Sequence, residues 1–207
     1  MDDLLIRHLS RPVPRYTSYP TAPHFHQGID SATYSQWLRE LPSETPLSLY
    51  LHIPFCDRLC WFCGCHTKQV LRYEPIAAYL PKLTAEIRRV AELLDGRGRV
   101  TAIHFGGGSP SMLRPADFVE LAAVLRSSFG IVGEPEFSIE IDPNDMTADR
   151  FTGFATAGVN RASIGVQDFD PKVQAAINRI QTPAQTRAVV DGMRAVGVAS
   201  VNLDVLY

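Results

Sequence analysis

Apolar and polar positions along the chain follow two periods. Leu47-Ser48-Leu49-Tyr50-Leu51-His52-Ile53 alternates with a period near two and stops at Pro54, which predicts a strand. Ile76, Tyr79, Leu80, Leu83, Ile87, Val90 and Leu94 then recur at helical spacing, the stripe of a long amphipathic helix. Val100 to Phe105 reads as a short strand halted by Gly106-Gly107-Gly108. Pro115 sits where a first-turn proline belongs, ahead of a second helical stripe of Phe118, Leu121, Ala122, Leu125 and Phe129. A third strand is expected from about Glu136 to Ile141, and a short helix follows Thr147 and stops at Gly158. Arg161 to Val166 is a fourth strand. Thr182-Pro183-Ala184-Gln185 has the form of a capping box opening a helix with Val189, Val190, Met193 and Val196, ended by Gly197. Val201 to Leu206 is a fifth strand.

Strands alternating with helices predict an α/β fold built of βα units on a parallel sheet, a partial TIM-like barrel. A complete barrel needs roughly 200–400 residues. This sequence offers four units and a fifth strand over residues 47–207, after a lead-in, residues 1–46, that is rich in Pro and aromatics and expected to lie along the barrel. With no helix to cover the fifth strand, its edge is open to self-association. A chain of 207 residues is therefore expected to be a fragment of a longer barrel, and a complete one to be a monomer. No internal repeat, low-complexity tract or separate linker is visible.

Composition narrows the function classes. The chain is 45% hydrophobic and 20% charged, with 20 Lys plus Arg against 22 Asp plus Glu, so it carries no basic field for nucleic acid. Lysine occurs only at 68, 82 and 172. The excess of arginine suits carboxylate recognition, but GC-rich codon usage gives the same bias and is the preferred explanation. No apolar run reaches the ~18 residues of a membrane span. The start, Met1-Asp2-Asp3, is unlike a secretory signal, so a cytoplasmic location is expected.

All four cysteines fall in one segment, Cys56, Cys60, Cys63 and Cys65, spaced C-x3-C-x2-C-x-C. A disulfide framework spreads its cysteines to close loops, so that reading is weakest. Structural zinc is better, since thiolates bind it well, but such sites usually pair two separated C-x2-4-C knuckles. An iron–sulfur cluster is larger and accepts closely spaced thiolates from one loop, and it leads on spacing, with zinc second and redox or structural thiols third. The other chemically suggestive residues all follow strands: the triple glycine, Glu140, Gln167 and Asp204. Ligand sites of α/β barrels gather at those strand ends.

C-x3-C-x2-C with Phe62 before its last cysteine resembles the signature of radical S-adenosyl-L-methionine enzymes. Three features narrow the likeness: Pro14-Arg15-Tyr16-Thr17-Ser18-Tyr19-Pro20-Thr21-Ala22, the cysteine segment preceded by Tyr50-Leu51-His52-Ile53-Pro54-Phe55, and Gly165-Val166-Gln167-Asp168-Phe169. Together, from about Arg11 to Tyr207, they resemble oxygen-independent coproporphyrinogen III oxidases of haem synthesis.

The resemblance implies a 4Fe-4S cluster on Cys56, Cys60 and Cys63, with S-adenosyl-L-methionine on the unique iron, and an active role for Cys65 without ligation. It implies two S-adenosylmethionine molecules side by side. Tyr50, Gly107 and Glu140 would contact the first; Phe62, Gly108, Ser109, Gln167, Arg179 and Asp204 would contact the second. Ser109 stands where the family usually has Thr. Reduction of the cluster would cleave the sulfonium to a 5′-deoxyadenosyl radical, which takes a hydrogen from a propionate of coproporphyrinogen III. Loss of an electron and carbon dioxide leaves a vinyl group; two propionates react, giving protoporphyrinogen IX. An electron donor for the cluster and a final electron acceptor are required partners, both unidentified by sequence, and Arg15 is a candidate for a substrate carboxylate.

Each residue also has a structural reading. The glycines serve close backbone approach as readily as ligand contact. Glu140 and Asp204, on apolar strands, would be costly to bury unpaired, which favours a role. Gln167 reads almost equally as a satisfied core amide, and Arg179, without the family, as a solvated charge. His52, His66 and His104 read as structural rather than metal-binding, and Tyr16 and Tyr19 as packing aromatics. Rival functions are a haem-binding relative, which Cys65 and the lead-in oppose, a zinc module, and an inactive piece of the enzyme.

Overall fold

The computed structural model describes residues 21–206. The lead-in positions Arg15, Tyr16 and Tyr19, and the motif from Pro14 to Pro20, lie outside them. The chain divides between Trp37 and Leu38 into two units. Helix α1, Ser31–Arg39, runs across that boundary; Asp30 opens it by accepting from Thr33 N at 2.8 Å and Thr33 Oγ1 at 3.0 Å. The hydrophobic pattern did not predict this helix, which has no buried residue.

The second unit runs β1 (Pro46–Ile53), β2 (Phe55–Cys56), β3 (Lys68–Gln69), α2 (Glu74–Leu94), β4 (Arg99–Gly107), α3 (Pro115–Ser128), β5 (Ile131–Ile141), α4 (Ala148–Ala157), β6 (Arg161–Gln167), α5 (Pro171–Ile177), α6 (Pro183–Ala195) and β7 (Ser200–Val205). Five strands form one sheet in the order β1-β4-β5-β6-β7, and every neighbouring pair is parallel. The fold is α/β with a parallel sheet. Among the described residues no helix is long and apolar enough to cross a membrane.

Strand alternation gives the sheet two unlike faces. Leu51, Ile53, Val100, Ile103, Phe105, Phe137, Ile139, Ile141, Ala162, Ile164 and Val166 are buried in the core. There Phe105, Phe118, Phe137 and Phe154 are each 0% exposed, with ring centroids 4.8 Å apart for Phe105–Phe118 and 4.9 Å for Phe118–Phe154. The opposite face is polar and kept in rows by the register: Tyr50 pairs with His104 and His104 with Ser138, while Glu140 pairs with Ser163 and Ser163 with Asn202.

Most element ends follow local chemistry. Proline occupies the first turn of α2, α3, α5 and α6, and Gly158, at φ 90°, closes α4 as expected. Thr182 caps α6 by accepting from Gln185 N at 3.1 Å. The Gln185 side chain, however, bonds Asn144 Oδ1 at 3.0 Å, so only half of a capping box forms. Strand β5 starts at Ile131, earlier than its apolar run, because an irregularity sets Ile131 to Glu136 against only Val100 to Ala102; Gly133, at φ 58°, lies inside it. The pair β2–β3 and helix α5 were not expected, being too short to show a period.

Candidate active site

The C-terminal ends of the strands carry the candidate residues. After β1, the chain leaves the sheet into the cysteine loop, whose neck is a parallel pair of β2 and β3. Lys68 N donates to Pro54 O at 2.8 Å and Val70 N to Cys56 O at 2.9 Å. The far side is tied to α5: Trp61 N donates to Ile177 O at 3.1 Å, and Asn178 Nδ2 to Leu59 O at 2.8 Å. Helix α5 is held in turn by Asp170, whose Oδ1 accepts from Lys172 N and Val173 N, and it ends at Asn178 in the left-handed region, φ 57°.

This arrangement encloses a cavity of about 440 Å³. Cys56, Cys60, Cys63 and Cys65 line it, with Phe62, Gly107, Gly108, Ser109, Glu140, Gln167, Arg179 and Asp204. Of the expected site residues among those described, only Tyr50 is not on its wall. Tyr50 stacks on His104 at 5.6 Å between centroids, its hydroxyl 3.1 Å from His52 Nδ1.

The glycine run follows the backbone's own demands. A Cβ on Gly108 would stand 2.5 Å from Phe55 O, because Gly108 N donates to Ile53 O and Ser109 N to Phe55 O. At Gly107, φ 111°, a Cβ would stand 2.5 Å from the His52 ring. Packing alone thus requires both glycines, while their surface also faces the cavity. Glu140 is half-exposed and paired rather than buried and bare: Oε1 lies 3.1 Å from His104 Nε2, and Oε2 accepts from Gly107 N at 3.1 Å. Asp204 corrects the burial argument more fully. It is exposed on β7, with Oδ2 accepting from Ser163 Oγ at 2.7 Å and Oδ1 from Asn202 Nδ2 at 2.6 Å.

Arg179 also departs from its structural reading as a solvated charge. Its side chain is 11% exposed and pairs through Nη1 with Asp142 Oδ2 at 3.0 Å, while Nη2 donates to Gly165 O at 2.9 Å. The Ser109 hydroxyl is engaged within the protein, donating to Asp145 and lying 2.9 Å from Ser111 Oγ. Gln167 takes a left-handed conformation, φ 66°, where an irregularity in the β6–β7 pairing follows Gly165.

Sequence reasoning missed Asp142, Asp145, His104 in its contact with Glu140, and the buried Gln174 and Gln181. Gln174 Nε2 donates to Asp168 O at 2.8 Å and to Gln181 O at 2.7 Å, fixing the turn between β6 and α6. Only Asp170-Pro171, a cap residue with a first-turn proline, offered a signal for this region.

Burial, with negative charge on the neighbouring Cys63 and Cys60, pushes the Cys56 thiol up to about 12; burial and then Cys63 push Cys65 to about 11. A bare thiolate is disfavoured at Cys56 and Cys65, and a coordinated cation reverses that balance at a ligand, because a ligating thiol loses its proton outright. Among the described residues no three His, Cys, Asp or Glu side chains converge tightly enough for a single ion. Thiols spread around a cavity suit a multi-iron group better than a mononuclear site. The donor set fits an iron–sulfur cluster.

The sequence profile of the Radical SAM superfamily matches residues 50–207, from Tyr50 on β1 through β7. The chain belongs to the Radical SAM superfamily. It is 52% identical over 205 residues to an oxygen-independent coproporphyrinogen III oxidase of Bradyrhizobium diazoefficiens, covering 99% of this chain and 46% of that protein. Against the one from Paracoccus denitrificans it is 45% identical over 196 residues, 94% of this chain and 43% of that protein. The solved coproporphyrinogen III oxidase of Escherichia coli, described as a radical SAM enzyme, superposes with a TM-score of 0.87 at 38% identity, over 100% of this chain and 45% of that one. The chain therefore spans slightly under half the length of these relatives. For a radical SAM chain the placement is coherent: the cysteine loop leaves the first sheet strand, and strand ends β4 to β7 close the cavity beside it.

Proposed function

We propose that this chain carries the cluster- and S-adenosylmethionine-binding machinery of an oxygen-independent coproporphyrinogen III oxidase. The reaction is oxidative decarboxylation of two propionates of coproporphyrinogen III to vinyl groups, giving protoporphyrinogen IX. Each propionate gives up a hydrogen atom, one electron and carbon dioxide, the electron leaving to an external acceptor. The observation that carries the reading is the convergence of all four cysteines with Phe62, Glu140, Gln167, Arg179 and Asp204 on one cavity.

Cys56, Cys60 and Cys63 would hold the 4Fe-4S cluster. When bound, the cluster and S-adenosylmethionine supply one-electron chemistry that ends in hydrogen abstraction from carbon. Glu140, oriented by His104 and Gly107 N, keeps acceptor capacity for an ammonium group or a ribose diol. Tyr50 flanks it from β1. Phe62, 42% exposed, offers an aromatic face inside the cavity, and Gln167 and Asp204 offer polar groups from β6 and β7. Ser109 and Gly108 contribute shape, since Ser109 N, O and Oγ are all bonded within the protein. Cys65, two residues past Cys63, donates its N–H to Cys63 Sγ at 3.4 Å, and its thiol is in no disulfide.

Anaerobic reconstitution with iron and sulfide, then dithionite and S-adenosylmethionine, tests the reading. About four irons per chain and release of 5′-deoxyadenosine are expected, with coproporphyrinogen III turnover measured next. A folded chain that takes zinc and no iron would overturn it.

A further inference from the structure

The Arg179 guanidinium stands at the junction of three groups. Asp142 Oδ2 lies 3.0 Å from Nη1, Gly165 O accepts from Nη2 at 2.9 Å, and Cys60 Sγ lies 3.9 Å from Nη1. Both charged partners are largely buried, at 11% and 12% exposure, and Arg179 Nε is buried with no partner. A buried arginine leaves donors unmet only where something else holds it in place. Here the holders are identifiable. Asp142 is itself fixed by Asn144 N and Nδ2 on Oδ1, at 2.9 and 3.0 Å, and its own N–H donates to Ser111 Oγ at 3.1 Å. Arg179 follows the left-handed cap of α5, the helix that also grips the cysteine loop through Trp61 and Leu59. One element thus delivers both the cation and the backbone around the sulfur it approaches.

We propose that Arg179, held by Asp142 and the Gly165 carbonyl, is a positioning residue that donates to the Cys60 sulfur and raises the reduction potential of the cluster Cys60 helps to hold. The inference rests on the cluster assignment above. Hydrogen bonds to ligating sulfurs and nearby positive charge favour the added electron, so both effects of Arg179 act in one direction. Gly165 permits the approach: a Cβ there would meet Arg179 Nη2 at 3.0 Å.

The test compares wild type, Arg179→Gln and Arg179→Lys, each reconstituted anaerobically and titrated spectroelectrochemically without S-adenosylmethionine. With iron content equal to wild type, Arg179→Gln is expected to shift the midpoint to a more negative potential, and Arg179→Lys, which keeps the charge, to shift it less. A role in folding alone would lower iron content and leave the potential of the loaded fraction where it was. A second measurement needs no variant: pulsed EPR of the reduced wild-type cluster, in protein labelled with ¹⁵N-arginine, should show a weak nitrogen coupling. An unchanged potential in Arg179→Gln, equal shifts in both variants, or no arginine coupling would overturn the proposal while leaving the cluster assignment intact. A wild-type chain that binds no iron would overturn both.

Discussion

Asp145 sits beneath the glycine turn with both Ser109 and Ser111 donating to its Oδ2. Burial, followed by the charge of Asp142, pushes its acid from 3.8 up to about 6, although the two hydroxyls pull the other way. Between those values the folded chain keeps a proton that the unfolded chain has released. Stability therefore falls as pH rises through about 4 to 6, and above 6 the full penalty, on the order of 3 kcal/mol, is present. Asp145→Asn removes the charge and keeps an acceptor for the serines. Urea unfolding at pH 4 and pH 7 should show the variant gaining about 2–3 kcal/mol on wild type between the two. A pH-independent difference would mean that the buried acid titrates as it does in the unfolded chain. Two glycines make a second contrast at this scale. A Cβ on Gly108 would meet a backbone oxygen, so Gly108→Ala must move the crossing of β4 over Phe55 and should cost about 1–3 kcal/mol. Gly64, inside the cysteine loop, has nothing within 4 Å of such a Cβ, and Gly64→Ala should be neutral or slightly stabilising. Thermal melts of the two variants read the difference directly.

At the scale of elements, α5 does the most for its length. It has seven residues and only Gln174 buried, yet its C-terminal end carries the bonds to Leu59 and Trp61 and places Arg179. Asp170→Ala leaves Lys172 N and Val173 N without their side-chain acceptor and should cost about 1 kcal/mol. The loss is expected to appear in the cysteine loop, as faster amide exchange at Trp61, while Phe105 and Phe137 on the strands stay protected. Equal exchange at Trp61 would show that the loop is held by its β2–β3 neck alone. The same helix marks where sequence stops being legible. The long stripes of α2 and α3 and the alternation of β1 were readable because each repeats its period several times against one core, and β4 because its short β-rich run is halted by three glycines. Helix α5 has two turns and no stripe, and β2 and β3 have two residues each, so no period can form. In the site, spacing gave the cysteines and strand ends gave Glu140 and Gln167. Asp142, Asp145 and the buried state of Arg179 were not readable, because each depends on a partner brought in by another βα unit.

Over the whole molecule, the sheet separates what stabilises the chain from what equips the site. One face packs Phe105 and Phe137 against Phe118 of α3 and, through it, Phe154 of α4; the other presents Tyr50, His104, Glu140 and Ser163. Phe118 touches all three of the other rings and is 0% exposed, so Phe118→Ala removes the hub of that cluster and opens a cavity. A loss of about 3–5 kcal/mol is expected, against a total of about 5–15 kcal/mol for an ordinary domain. It should appear as a lower urea midpoint with an unchanged slope. Because none of the three rings packed on Phe118 lines the cavity, the fraction of Phe118→Ala that remains folded should take up iron as wild type does. Gly108→Ala should show the reverse balance: a smaller loss of stability with a larger loss of iron uptake, since the displaced crossing is the stem of the cysteine loop. If the two variants instead lost stability and iron in the same proportion, the two faces of the sheet would be one cooperative unit, and the site would owe its shape to the aromatic core as much as to its own hydrogen bonds.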